Sequence, residues 1–372
     1  MSARRFGHGL VIGKFYPAHA GHHFLIRSAA ASCERLTVVV MAADVESVPL
    51  AVRVGWLRAA YAEQPQVAVT GMVDNLPVDL ESEDIWAGHV ALMRDGVALG
   101  PHAAVPVDAV FSSESYGTEL ARRFGAAAVL LDPPRDTFAV SGTKVRADPV
   151  AHWDALEPPV RAWFARRVVV LGAESTGTTT LSRDLAAALR GRGGPHARTG
   201  WVPEYGRELT VVKLALARAV ADPAGPPPTV FDLEWDDRDF ETVVRMQSAD
   251  EDRAAGDGGP VLVCDTDALA TTVWQERYRG RSTAAVRELA AGVPARALYL
   301  LTSDAGVPFH DDGLRDGEEL RPWMTGRFRE VLAAQPVPWL ELRGDREARL
   351  GQALQAVDLL LARGWGLADP LG

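Results

Sequence analysis

The chain has 372 residues, 47% of them hydrophobic and 24% charged, which is length enough for two or three domains with separate cores and excludes a peptide hormone or a disulfide mini-scaffold. Thirty-nine Lys plus Arg against 49 Asp plus Glu leave a net charge of −10, which repels the phosphate backbone, so nucleic acid is not an expected partner. No apolar run approaches the ~20 residues of a membrane helix, no signal core follows Met1, and Cys33 and Cys264 fit no metal or disulfide spacing, so no membrane partner and a reducing cytoplasm are expected.

Residues 9–13 form a short apolar strand ending in Gly13, and Ala20 to Ser32 have helix-forming composition beyond a turn containing Pro17. Strands are predicted at 37–41, 67–69, 109–111 and 127–131, with helices near 53–62, 85–94 and 117–124 between them. This alternation predicts an α/β fold with a parallel sheet and crossover helices. The first domain is assigned to residues 1–157 and a short helical connector containing Pro158 and Pro159 to 158–166. A second domain, 167–372, opens with the strand 167–171 and a glycine-bounded loop, followed by a helix over 181–190. Later strands are predicted at 261–264 and 297–301, separated by loops at 191–200, 222–229 and 250–260.

The stretch from Gly13 to His22, Gly-Lys-Phe-Tyr-Pro-Ala-His-Ala-Gly-His, sets Lys14 and Phe15 ahead of two imidazoles, His19 and His22, three residues apart at a helix start. Side chains at that spacing share a face, beside main-chain N–H groups that already favour an anion. Gly13 and Gly21 leave room for a ligand against the main chain. The plain alternative is a pair of core histidines. Further on, Ser141-Gly-Thr143-Lys144-Val-Arg146 gathers hydroxyls, an ammonium and a guanidinium where a helix begins. Only three lysines occur in the chain, Lys14, Lys144 and Lys213, and two of them fall in these candidate phosphate loops.

Gly172-Ala-Glu174-Ser175-Thr176-Gly177-Thr178-Thr179 matches the phosphate-binding loop Gly-x-x-x-x-Gly-Lys-[Ser/Thr] everywhere except at the lysine, which is Thr178; Thr180 follows. The main-chain N–H groups can still cradle phosphates and Thr179 can still offer a hydroxyl to magnesium. Asp265 and Asp267 end an apolar strand, where a carboxylate commonly orders that magnesium. Arg315, Arg321, Arg327 and Arg329 crowd a Gly/Asp-rich segment that could close as a lid; the plain alternative is a solvated loop.

These residues resemble the bifunctional nicotinamide mononucleotide adenylyltransferase/ribosylnicotinamide kinase enzymes of the NadR type. The likeness rests on the His-x-Gly-His stretch, the Ser141–Arg146 cluster and Phe111-Ser-Ser-Glu-Ser-Tyr-Gly117. In the second domain it rests on Pro203-Glu-Tyr-Gly-Arg-Glu208, Asp265-Thr-Asp-Ala-Leu-Ala-Thr271, Trp274-x-x-x-Tyr278 and Asp312-Gly-Leu-Arg-Asp316. It implies a Rossmann-like nucleotidyltransferase domain followed by a P-loop kinase domain. The first would join ATP to nicotinamide mononucleotide, giving NAD and pyrophosphate, with magnesium and no covalent intermediate. By the resemblance, Lys14, His19, His22, Lys144 and Arg146 hold the triphosphate and the departing pyrophosphate, and Trp86 stacks on the pyridine ring. The second domain would phosphorylate nicotinamide riboside from ATP, with Glu204, Tyr205, Arg207, Trp274 and Tyr278 on the substrate side and Asp265 or Glu204 orienting the hydroxyl. Related enzymes can carry an N-terminal DNA-binding domain; the first strand here begins within about ten residues of Met1, so transcriptional repression is not expected. The alternative is an adenylyltransferase alone, with the second domain a nucleotide-binding regulatory module. A homo-oligomer is compatible with the sequence, which does not fix the oligomeric state.

Overall fold

The computed structural model describes residues 6–79, 81–134, 136–310 and 317–371. The chain divides into two compact units, Met1–Val160 with Trp365–Gly372, and Arg161–Gly364. The residues after 364, placed at the end of the second domain on sequence grounds, cluster with the first.

The first unit alternates strictly: β1 (Phe6–Gly13), α1 (Ala20–Ser32), β2 (Cys33–Ala42), α2 (Leu50–Ala60), β3 (Val67–Val73), α3 (Glu83–Ala98), β4 (Ala109–Ser112), α4 (Gly117–Phe124), β5 (Ala127–Leu130) and α5 (Gly142–Ala147). The strands pair in the order β3-β2-β1-β4-β5, all parallel. Strands covered on both faces must be apolar throughout, and Leu36 to Ala42 are buried without interruption. Leu10, Val39 and Val110 contribute to a cluster that α3 and α4 cover through Val90, Val97, Leu120 and Ala121.

In the second unit α6 (Pro158–Phe164) leads into β6 (Arg166–Gly172), α7 (Thr178–Arg190), β7 (Gly200–Val202), α8 (Tyr205–Val220), α9 (Asp237–Asp257), β8 (Val261–Asp265), α10 (Ala268–Arg279), α11 (Ala284–Ala291), β9 (Leu298–Thr302), α12 (Arg321–Ala333), β10 (Trp339–Leu342) and α13 (Arg346–Ala362). Its sheet is also parallel, ordered β10-β9-β6-β8-β7, with β6 central. Val168, Val170, Val263 and Leu300 pack against Leu181, Leu185 and Leu189 of α7 and Ala353 and Val357 of α13.

The expected loop over 250–260 is a correction: α9 continues to Asp257. Its start is set by a reciprocal Asp236/Asp239 capping box, and Phe240, Val243, Val244, Gln247, Glu251 and Ala255 keep one face buried at helical spacing. Asp252, Arg253 and Asp257, which read as loop, are on its solvated side. Both cysteines are buried. Among the described residues no helix is long and apolar enough to cross a membrane.

Candidate functional site

In the first unit the chain builds β1, α1, β2, α2 and β3 on one side of the sheet centre and then crosses to β4 and β5, so the strand order reverses between β1 and β4. Beyond the carboxyl ends of strands at such a switch point a doubly wound sheet leaves a crevice. A pocket of about 90 Å³ lies there, lined by His19, Gly21, His22, Ser113, Glu114, Leu131, Phe138 and Gly142. His19 is the N-cap of α1, and its ring stacks on that of His22 with centroids 3.8 Å apart. Phe15, held at φ +47°, sets its ring 4.9 Å from His22. A Cβ on Gly21 would come within 3.2 Å of the His19 ring, and one on Gly142 within 2.8 Å of the Tyr16 carbonyl, so both glycines let the β1–α1 loop and α5 meet at the pocket. Ser113, Glu114, Leu131 and Phe138 line the pocket without having been named as site residues. Ser113 and Glu114 follow the predicted strand 109–111, within the Phe111–Gly117 stretch, and Leu131 ends the predicted strand 127–131, whereas Phe138 carried no local signal.

The cations expected here distribute differently. Arg146 donates to the Tyr16 carbonyl at 2.7 Å and to Thr143 at 3.2 Å, clamping α5 to the β1–α1 loop. Ser141 caps α5 by accepting from the Lys144 N–H, while the Lys144 ammonium donates to the Ala139 carbonyl at 3.1 Å. Lys14 lines a second, smaller pocket with Met41, Ala43, Asp74, His89 and Leu371. The shared feature is the loop between β1 and α1, which carries Lys14 towards one pocket and His19 and His22 towards the other. That loop rests on a buried pair the sequence reading did not find: Arg53 and Glu46, 2.7 Å apart and both fully buried, with Arg53 also donating to the Lys14 carbonyl and lying 4.2 Å over the Tyr16 ring. Trp86, expected against a pyridine ring, is packed in the core beneath the Arg123 guanidinium, 5.0 Å from the ring centre.

In the second unit the register of the sheet makes the site. Asp265 pairs opposite Val170 of β6, which puts a carboxylate at the end of β8 beside the loop running from Gly172 to α7. Gly177, at φ +88°, and Ser175, at φ +58°, turn the loop so that the helix starts at Thr178. A Cβ on Gly172 would stand 2.2 Å from Thr302 Oγ1. Thr176 closes the loop on itself, donating to the Ala173 carbonyl at 2.7 Å, and Arg349 donates to the Thr176 carbonyl at 2.9 Å from below. Thr180 is exposed on α7, outside the pocket.

The pocket beside the loop, about 110 Å³, is lined by Gly172, Glu174, Ser175, Thr178, Thr179 and Asp265 together with Glu204, Arg207, Trp235, Phe240, Trp274 and Tyr278. Burial raises the Asp265 carboxyl to about 6, against the opposing pull of the Thr179 and Thr178 hydroxyls and of Arg183 and Arg207. Tyr278 lies between the Trp235 and Trp274 rings, with centroids at 5.5 and 6.4 Å and nearly parallel planes. Trp235 and Phe240 were missed from the sequence; their signal was the Asp236 capping box, which fixes where α9 begins. Tyr205 starts α8, where its N–H donates to Gln247, and it does not line the pocket. Glu174 pairs with the nearly buried Arg277 at 2.7 Å. Asp267 serves structure: it caps α10 and binds Arg296 at 3.0 Å and the Tyr299 hydroxyl at 2.9 Å.

Of the lid candidates, Arg315 and the motif 312–316 lie outside the described residues. Arg321 is buried at the start of α12, its guanidinium 5.9 Å over Phe309. Arg327 and Arg329 are held by Glu276 and Glu341.

A family model described as an AAA domain matches residues 167–349. The trifunctional NAD biosynthesis/regulator protein NadR of Escherichia coli (strain K12) is 24% identical over 321 residues, covering 82% of this chain and 71% of that protein. Its counterpart from Salmonella typhimurium (strain LT2) is 24% identical over 320 residues, with the same shares. Two crystal structures match nearly the whole chain. That of NadR protein in complex with NR has a TM-score of 0.71 at 21% identity, covering 96% of this chain and 98% of that one. That of NadR protein in complex with NAD and AMP-PNP has a TM-score of 0.68 at 22% identity, covering 97% and 98%. Two parallel α/β sheets and a phosphate-binding loop accompany this likeness: over most of its length the chain is similar to the NadR proteins, and it shares the fold of the two crystal structures.

Proposed function

We propose that the chain is an enzyme of NAD biosynthesis with two nucleotide sites, the N-terminal one joining the adenylyl group of ATP to nicotinamide mononucleotide and the C-terminal one phosphorylating nicotinamide riboside. The observation that carries the reading is the composition of the second unit's pocket. The phosphate-binding loop, the Thr179 hydroxyl and the Asp265 carboxylate line it together with stacked aromatic rings suited to a flat, electron-poor heterocycle. A riboside would take its ring to the aromatics and its 5′-hydroxyl towards the phosphates. Glu204, the N-cap of α8, or Asp265 orients that hydroxyl.

Magnesium fits the residues present. A buried carboxylate whose charge is disfavoured by burial, hydrogen-bonded to a threonine hydroxyl, makes a small oxygen donor set of the kind that holds magnesium together with phosphate oxygens and water. When bound, the ion neutralises charge on the transferring phosphate. The chain's own contribution is positioning: the loop N–H groups fix the phosphates, and the Glu174–Arg277 pair borders the loop.

In the first unit, the stacked His19 and His22 at the N-terminus of α1, with the Lys14 ammonium on the same loop, can donate to a triphosphate and to the pyrophosphate that leaves. No covalent enzyme intermediate is required. Magnesium is expected to accompany this ATP as well.

Thr178 favours a second reading, in which the C-terminal unit binds nucleotide as a regulatory module without turnover. Incubation of the full chain with MgATP and radiolabelled nicotinamide riboside separates the two. Label in the mononucleotide and in NAD is expected. Conversion of supplied mononucleotide to NAD with none from the riboside would establish the regulatory reading; no NAD from either would overturn both.

A further inference from the structure

After α13 the chain returns to the N-terminal unit. Gly364 and Gly366, at φ +62° and +59°, turn it in a conformation that strains any residue with a Cβ. Ala368 is then held from both sides: its N–H donates to Ser47 Oγ at 2.7 Å, and its carbonyl accepts from the Tyr16 hydroxyl at 2.8 Å. Three residues on, the Leu371 carbonyl accepts from the Lys14 ammonium. Tyr16 and Lys14 belong to the same loop that carries His19 and His22. Every tail atom in these bonds is main chain, so the dock depends on where the tail runs.

We infer that residues 365–371 are an internal competitor for the N-terminal nucleotide site, a strap that occupies the Lys14 ammonium while the site is empty and lets go when phosphate takes its place. This rests on reading that site as a nucleotide site. A phosphate oxygen forms a stronger, charge-assisted bond to an ammonium than a main-chain carbonyl does. Ordering an extended tail costs backbone entropy at each residue, and a few hydrogen bonds return little more than that cost, so docked and released tails lie close in free energy. A strap docked nine-tenths of the time weakens nucleotide binding about tenfold, and by reciprocity bound nucleotide must loosen the strap.

The test is segment-resolved hydrogen exchange of the full chain with and without MgATP, with kinetics of a chain ending at Gly364 and of Ser47→Ala in the full chain. MgATP is expected to slow exchange over residues 13–25 and to speed it over 366–371. Shortening should lower the KM for ATP in adenylyl transfer about three- to tenfold with kcat unchanged, and Ser47→Ala should move KM the same way by about two- to threefold. Protection of 13–25 with an unaltered tail would sink the strap alone, as would a KM that rises or a kcat that falls in both variants, since the tail would then be a wall of the site. Unchanged exchange over 13–25 would remove the nucleotide reading of the pocket, and the strap with it.

Discussion

His23, beside the paired imidazoles, shows how one side chain is read differently from its neighbours. It points into the unit, where Nδ1 meets the Tyr61 hydroxyl at 2.9 Å, and burial lowers it to about 4. The unfolded chain therefore takes up a proton that the folded one refuses. The stabilising contribution is present above the ordinary histidine value of about 6.5 and is lost as pH falls from there towards 4, amounting to roughly 3 kcal/mol at the lower end. Urea midpoints measured from pH 7.5 to 4.5 should fall less steeply in His23→Gln than in the parent. At Thr178 the missing charge is the issue. A charge-assisted contact is worth about 1.5–3 kcal/mol, so Thr178→Lys is expected to raise kcat/KM for riboside phosphorylation about ten- to a hundredfold, read from labelled mononucleotide formed at low ATP. That departure was legible in the sequence because the loop pattern specifies the lysine. The setting of Thr178, its hydroxyl turned to Asp265, depended on strand register and was not.

Among the elements, the phosphate-binding loop illustrates how backbone conformation and packing act together. Gly177 supplies a left-handed residue, and Gly172 supplies space, since Thr302 of the neighbouring strand β9 stands where a side chain would begin. Gly172→Ala is expected to destabilise the second unit by about 1–3 kcal/mol and to abolish ATP binding there, as thermal unfolding with and without MgATP would show. The loop, the strand before it and the helix after it follow from local pattern, as do α1 and β1 to β4. The elements that escaped, β7, β10 and most of α8 to α13, are short edge strands or helices whose apolar faces are narrow and interrupted by charge. Helix α9 is the clearest case: Glu251 sits buried because Arg296 meets it at 2.7 Å, a pairing across 45 residues that no periodicity contains.

Taken as a whole molecule, the chain presents two sheets with a candidate site at the carboxyl end of each. Separate chemistry should follow from separate sites. His19→Ala is expected to abolish NAD formation from mononucleotide while riboside phosphorylation persists, and Asp265→Asn to do the reverse. Equal loss of both activities in either folded variant, assayed with each substrate in turn, would contradict independence.

Local order in the chain was enough to announce two α/β sheets, a loop shaped for phosphate and a histidine pair at a helix start, because strand, turn and helix propensities and glycine placement act over a few residues. Which rings gather around a substrate, which lysine faces which pocket, and where the last residues return were decided by tertiary contact. Trp235 and Phe240 reach Tyr278, and Ala368 reaches Ser47, only once the sheets and helices have brought remote parts of the chain to hydrogen-bonding or stacking distance.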